Sequence, residues 1–155
     1  LKVLTNATPK VGAYPFTTKI PNLGVLHTGF TDLVIADIPG LIEGASTGAG
    51  LGHRFLKHIG RTGALAFLID LTDAEYATTF PILLNELQAY SPDLAAKDRI
   101  IIGTKTDIDG TDMIFEDLKS LLPNERVICV SSFSREGLKE LPGEFVKLLQ
   151  KEDSE

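Results

Sequence analysis

Four short, uninterrupted apolar runs, at residues 33–36, 64–69, 100–102 and 127–130, constrain this chain more than any other feature. Runs of that length without polar alternation predict strands buried on both faces of a parallel sheet. Parallel strands need crossover connections, and the sequence between the runs has helical spacing. Phe80, Leu83, Leu84 and Leu87 stand at i, i+3, i+4 and i+7, with Pro81 expected in the first helical turn. Ile114, Leu118, Leu121 and Leu122 repeat the pattern before Pro123, as do Leu138, Leu141, Phe145, Leu148 and Leu149 near the end. A further helix is expected over 51–59, with Leu51, Phe55 and Ile59 on one side. Residues 25–30 are expected to pair with 33–36 as a hairpin turning at Thr31-Asp32. Strand and helix in alternation read as an open α/β sheet.

The 155 residues suit one domain, read as 1–151 with a frayed tail at 152–155. With 43% apolar and 23% charged residues, disordered and fibrous classes are excluded. No apolar run approaches the roughly 20 residues of a membrane span. A single cysteine, Cys129, excludes an internal disulfide framework or a cysteine-rich zinc site and points to a reducing, cytoplasmic setting. The net charge of −6 argues against bulk attraction to DNA. A basic group, His53, Arg54, Lys57, His58 and Arg61, is read as a solvated helix face in preference to an RNA contact.

Polar groups collect where the runs end: Asp37 after the first, Asp70 closing the second, Thr104, Lys105 and Asp107 after the third, Ser131 and Ser132 after the fourth. In open α/β sheets ligands bind at that edge. Asp37-Ile38-Pro39-Gly40 leaves a strand for a glycine-rich stretch. Its carboxylate suits Mg²⁺, a cation that prefers hard oxygen ligands, and the Gly40 amide can approach a phosphate unobstructed. Asp107 can accept two parallel hydrogen bonds from guanine N1–H and the exocyclic amine, where adenine offers the opposite pattern. The aliphatic stem of Lys105 can lie along the base. Ser131 and Ser132 supply amides for guanine O6. In the loop Pro15-Phe16-Thr17-Thr18, a threonine hydroxyl can hold Mg²⁺ while its amide senses a terminal phosphate.

Together these segments resemble the G domain of the bacterial Obg family, GTPases of the translation-factor class. The resemblance rests on Tyr14-Pro15-Phe16-Thr17-Thr18, on Pro21-Asn22-Leu23-Gly24, and above all on Asp37-Ile38-Pro39-Gly40-Leu41-Ile42-Glu43-Gly44-Ala45. It continues through Gly48-Ala49-Gly50-Leu51-Gly52 and Arg54-Phe55-Leu56-Lys57-His58. It implies an α/β fold, the P-loop NTPase G domain, with a mostly parallel sheet flanked by helices. It further implies Mg²⁺-dependent hydrolysis of GTP to GDP and phosphate, coupled to large ribosomal subunit assembly and stress signalling in the cytoplasm. Thr17 and Thr18 become switch residues, with Thr18 and Asp37 as the Mg²⁺ partners and Gly40 the γ-phosphate contact. Thr104, Lys105 and Asp107 read guanine, and Ser131 and Ser132 close over it. Leu41 stands where many small GTPases carry a water-orienting glutamine. The resemblance therefore implies slow hydrolysis, with catalysis supplied by another group, a monovalent cation or a partner.

Two departures carry expectations. No GxxxxGK[ST] occurs in the chain, which opens on Leu1 and has Met113 as its sole methionine. The first strand and phosphate loop of the fold are thus absent from this sequence and are expected upstream, because the loop supplies the amide cradle and its lysine. Thr104 stands where the family more often has asparagine and loses the amide's paired donor and acceptor. A Thr104→Asn variant is expected to bind GDP about 1 kcal/mol more tightly, one modest hydrogen bond. Titration of fluorescent GDP against both proteins checks this, and equal affinities overturn it. Two other readings stay open on the residues alone. One is a nucleotide-free interaction domain that uses the surface of 40–52. The other is a flavodoxin-like receiver or cofactor domain, which leaves residues 104–107 without a role.

Overall fold

A computed structural model describes residues 22–29, 31–37 and 62–150. The chain divides into two compact units, one ending at Thr62 and the other beginning at Gly63.

In the first unit β1 (Asn22–His27) pairs antiparallel with β2 (Asp32–Asp37), from Asn22 opposite Asp37 to His27 opposite Asp32. The hairpin is the expected one, but its turn is not at Thr31-Asp32. Strand β1 ends at His27, and Thr28 and Thr31 close the turn. The Thr28 N–H and Oγ–H both donate to the Thr31 carbonyl, at 3.2 and 2.6 Å. Gly29 takes a left-handed φ of +87°, a conformation that suits glycine. Asp32 belongs to the strand, its carboxylate 2.8 Å from His27 Nδ1 across the ladder. Full burial of this run is also corrected: Val34 is 68% exposed beside its exposed partner Val25. Antiparallel pairs tolerate one wet face.

The second unit is a parallel sheet with strand order β3-β4-β5, formed by β3 (Ala64–Asp70), β4 (Asp98–Thr104) and β5 (Val127–Cys129). The connections carry α1 (Tyr76–Tyr90), a short α2 (Pro92–Ala95) and α3 (Thr111–Leu121), and α4 (Leu141–Gln150) follows β5. Central β4 meets the expectation of burial on both faces: Ile100, Ile101 and Ile102 are at most 3% exposed. β3 does not, because it lies at the end of the described sheet. Leu65, Phe67 and Ile69 point into the core while Leu68 is 62% exposed. The inward face meets α1, where the Phe67 and Phe80 rings cross edge to face at 5.1 Å, a favourable aromatic geometry.

Pro81 is the sixth residue of α1 and not in its first turn. The helix begins earlier because Asp73 turns the chain, its side chain accepting from Glu75 N–H at 2.9 Å and its carbonyl from Tyr76 N–H at 3.2 Å. In α3 Leu118 is buried as expected, but Leu121, the last residue of the helix, is 49% exposed. Leu138 precedes α4 in a turn. Among the described residues no helix is long and apolar enough to cross a membrane. The expected helix over 51–59 and the tail 152–155 lie outside the described residues.

Candidate functional site

The carboxyl ends of β3, β4 and β5 share one edge of the parallel sheet, and the loops that leave them are stitched together. From β3, Leu71 N–H donates to the Thr104 carbonyl at 3.3 Å. The Thr104 hydroxyl returns a weak bond of 3.4 Å to the Ile69 carbonyl. From the β5 side, Val130 contributes its carbonyl to Thr106 N–H at 3.4 Å, and Glu136 accepts from Thr106 Oγ–H at 3.3 Å. Beyond Asp107 the chain closes a turn from Ile108 N–H to the Lys105 carbonyl, 3.1 Å. Buried Thr111 then donates to the carbonyls of Ile108 and Thr106, at 2.7 and 3.2 Å, and starts α3. The loop over residues 104–107 is therefore braced from both neighbouring strands.

Ser131 joins the two halves. It is fully buried, and its Oγ–H donates to Asp107 Oδ1 at 2.7 Å. The same oxygen accepts from Ser134 N–H at 3.0 Å, while Ser131 N–H donates to the Glu136 carbonyl at 2.9 Å. A buried hydroxyl with both capacities used is held in one rotamer, which fixes the carboxylate it serves. Asp107 itself is exposed, and its second oxygen has no protein donor among the described residues. Ser132, the residue after Ser131, is exposed. The arrangement presents a fixed carboxylate to solvent, able to accept two donors from one edge of a planar ring.

Lys105 departs from the ordinary backbone. Its φ of +68° is left-handed, a strain on the order of 1 kcal/mol for a residue with a Cβ. Its ammonium lies 2.7 Å from Asp70 Oδ2. That lysine, with hydrogen bonds from Thr72, holds the Asp70 carboxyl down at about 2, so it is ionised across the physiological range. Asp70 in turn raises the Lys105 ammonium above the usual lysine value.

Of the residues expected from sequence to form a site, Thr104, Lys105, Asp107, Ser131 and Ser132 are brought to this one edge. Thr17, Thr18 and Gly40 lie outside the described residues, as do Leu41 and the glycine-rich stretch. Asp37 is the last residue of β2, and its side chain too is outside the described ones. Among the described residues no group of three or more His, Cys, Asp or Glu could hold a metal ion. From sequence Asp70 is legible only as one of the polar residues at the strand ends, and Thr72 and Glu136 carry no recognisable motif. The signal for Asp70 is register: it sits opposite Thr104 in the parallel ladder, one residue from Lys105.

Comparison with known proteins finds relatives along most of the chain. The family model described as 50S ribosome-binding GTPase matches residues 1–105. The GTPase Obg of Treponema denticola is 52% identical over 149 residues, covering 96% of this chain and 39% of that protein. The GTPase Obg of Borrelia turicatae is 47% identical over 148 residues, covering 96% of this chain and 45% of that protein. That of Borreliella burgdorferi strain ZS7 is 48% identical over 145 residues, covering 94% of this chain and 44% of that protein. The chain thus spans less than half the length of these relatives. Their similarity runs well past Lys105, where the family model ends.

Proposed function

Since the chain belongs to the Obg type of the 50S ribosome-binding GTPases, we propose that the protein binds GTP and GDP through this site and hydrolyses GTP to GDP and phosphate. The observation that carries the reading is the 2.7 Å hydrogen bond from Ser131 to Asp107, which sets an exposed carboxylate at the edge of the parallel sheet. A carboxylate so placed accepts from both guanine N1–H and the exocyclic amine and repels the acceptor N1 of adenine. The Lys105 stem offers an apolar surface for the ring, and Ser132, exposed next to Ser131 in the chain, offers its amide to O6.

In the same reading Thr17, Thr18 and Gly40 serve the phosphates. Asp37 and Thr18, hard oxygen donors, would hold Mg²⁺, which neutralises phosphate charge when bound. Leu41, having no hydrogen-bonding side chain, cannot orient a water, so intrinsic hydrolysis is slow and awaits a monovalent cation or a partner. The partner class is the large ribosomal subunit, as in a family of 50S ribosome-binding GTPases. A cytoplasmic switch in subunit assembly and stress response is the role that fits such a slow enzyme.

The test is competition for fluorescent GDP by unlabelled GDP, GTP, ADP and ATP on the full-length product. Guanine nucleotides are expected to displace the probe at least about 100-fold better than adenine nucleotides, as two charge-assisted hydrogen bonds would give. Equal displacement, or no binding of the probe, overturns the proposal and favours an interaction module that does not use nucleotide.

A further inference from the structure

Asp70 touches no group that reads the base edge, yet it holds one that lies beside it. The parallel register ends with Asp70 opposite Thr104, so the carboxylate stands where the next loop begins. Its two oxygens have separate duties. Oδ1 accepts twice from Thr72, from N–H at 2.8 Å and from Oγ–H at 2.6 Å. Oδ2 is left for Lys105 Nζ at 2.7 Å. Lys105 is thereby held at both ends: its carbonyl accepts from Ile108 N–H at 3.1 Å, and its ammonium is tethered 35 residues back along the chain. Strained backbone persists where its surroundings over-determine it, and the left-handed Lys105 is such a case.

We propose that Asp70, oriented by Thr72, is a positioning residue that tethers the Lys105 ammonium so that the lysine stem is laid out before a purine ring arrives on it. The inference rests on reading residues 104–107 as the base-recognition loop. A free lysine must surrender its rotamer freedom on binding, and a tether removes that cost beforehand. The stem meets the face of a ring and not its edge, so the tether acts alike on guanine and on hypoxanthine. Asp107, by contrast, distinguishes the two, because hypoxanthine lacks the exocyclic amine.

The experiment titrates GDP and inosine diphosphate against the full-length product and its variants. Asp70→Asn is expected to weaken both nucleotides by the same factor, about fivefold, as befits a half-exposed ion pair. Asp70→Glu, which restores the charge, recovers part of the loss. In a Lys105→Ala background Asp70→Asn costs nothing further, because its effect passes through the lysine. A general structural defect would instead add to the loss from Lys105→Ala and would not be rescued by glutamate. Wild-type affinity in Asp70→Asn, or full additivity with Lys105→Ala, overturns the tether while leaving the base site standing. Failure of the wild-type protein to bind either nucleotide removes the site and the tether together.

Discussion

Asp107→Asn is expected to reduce GDP affinity about 100-fold, near 3 kcal/mol, and to raise affinity for xanthosine diphosphate by a comparable factor. The argument follows from donors and acceptors. Guanine presents two donors, N1–H and the exocyclic amine, and the carboxylate accepts both. In asparagine one oxygen becomes an NH₂, which meets the exocyclic amine donor to donor. Xanthine carries a carbonyl at that carbon, so the new NH₂ donates to it while Oδ1 still accepts from N1–H. The Ser131 clasp survives the exchange: an amide oxygen has two lone pairs, one for Ser131 Oγ–H, now 2.7 Å from Asp107 Oδ1, and one for the base. The substitution therefore changes the code without removing the brace. Calorimetric titration of both diphosphates against the wild-type and variant proteins checks it. A variant that retains GDP affinity, or that loses it without gaining the xanthine nucleotide, shows that Asp107 does not read the base.

Much of this site was legible in the sequence because its parts are local. The run over 100–102 and the polar residues after it announce β4 and its loop, and the strand proves to be Asp98–Thr104. The run at 127–130 places Ser131 at a strand end, and β5 occupies Val127–Cys129. Four features were illegible for physical reasons. Continuous apolar sequence does not distinguish a central strand from one at the end of a sheet, so exposed Leu68 looked the same as buried Ile101. The first turn of α1 is set by Asp73 bonding to Glu75 and Tyr76, a competition between side chain and backbone that a proline rule overlooks. The pairing of Asp70 with Lys105 requires knowing that two strands run parallel with Asp70 opposite Thr104. No spacing within one segment contains that information. In the hairpin the turn closes between Thr28 and Thr31 and not at Thr31-Asp32, because Thr28 Oγ accepts from Thr31 N–H at 3.2 Å and closes the turn as an Asx side chain would.

Gly137→Ala is expected to destabilise the domain by about 3 kcal/mol, the sum of a left-handed backbone penalty and a clash that the core cannot absorb. Gly137 has φ +77°, and a Cβ there would lie 2.5 Å from the Cys129 carbonyl oxygen and 3.1 Å from Val130 Cγ1. The first of these atoms is backbone at the end of β5 and cannot rotate away. Relief must come from moving residue 137, and the consequence passes to the site through one peptide. The Glu136 carbonyl accepts from Ser131 N–H at 2.9 Å, and Ser131 holds Asp107. Gly110→Ala provides the internal comparison: its φ of +88° carries the same backbone penalty, but nothing lies within 4 Å of the added carbon. That variant is expected to cost only about 1 kcal/mol. Chemical denaturation of both variants separates strain from packing, and GDP titration should show weakened binding in Gly137→Ala alone. If the two alanine variants lose equal stability, the close approach of Gly137 to β5 contributes nothing. If Gly137→Ala loses stability but keeps wild-type GDP affinity, the Glu136 carbonyl does not position Ser131 for Asp107.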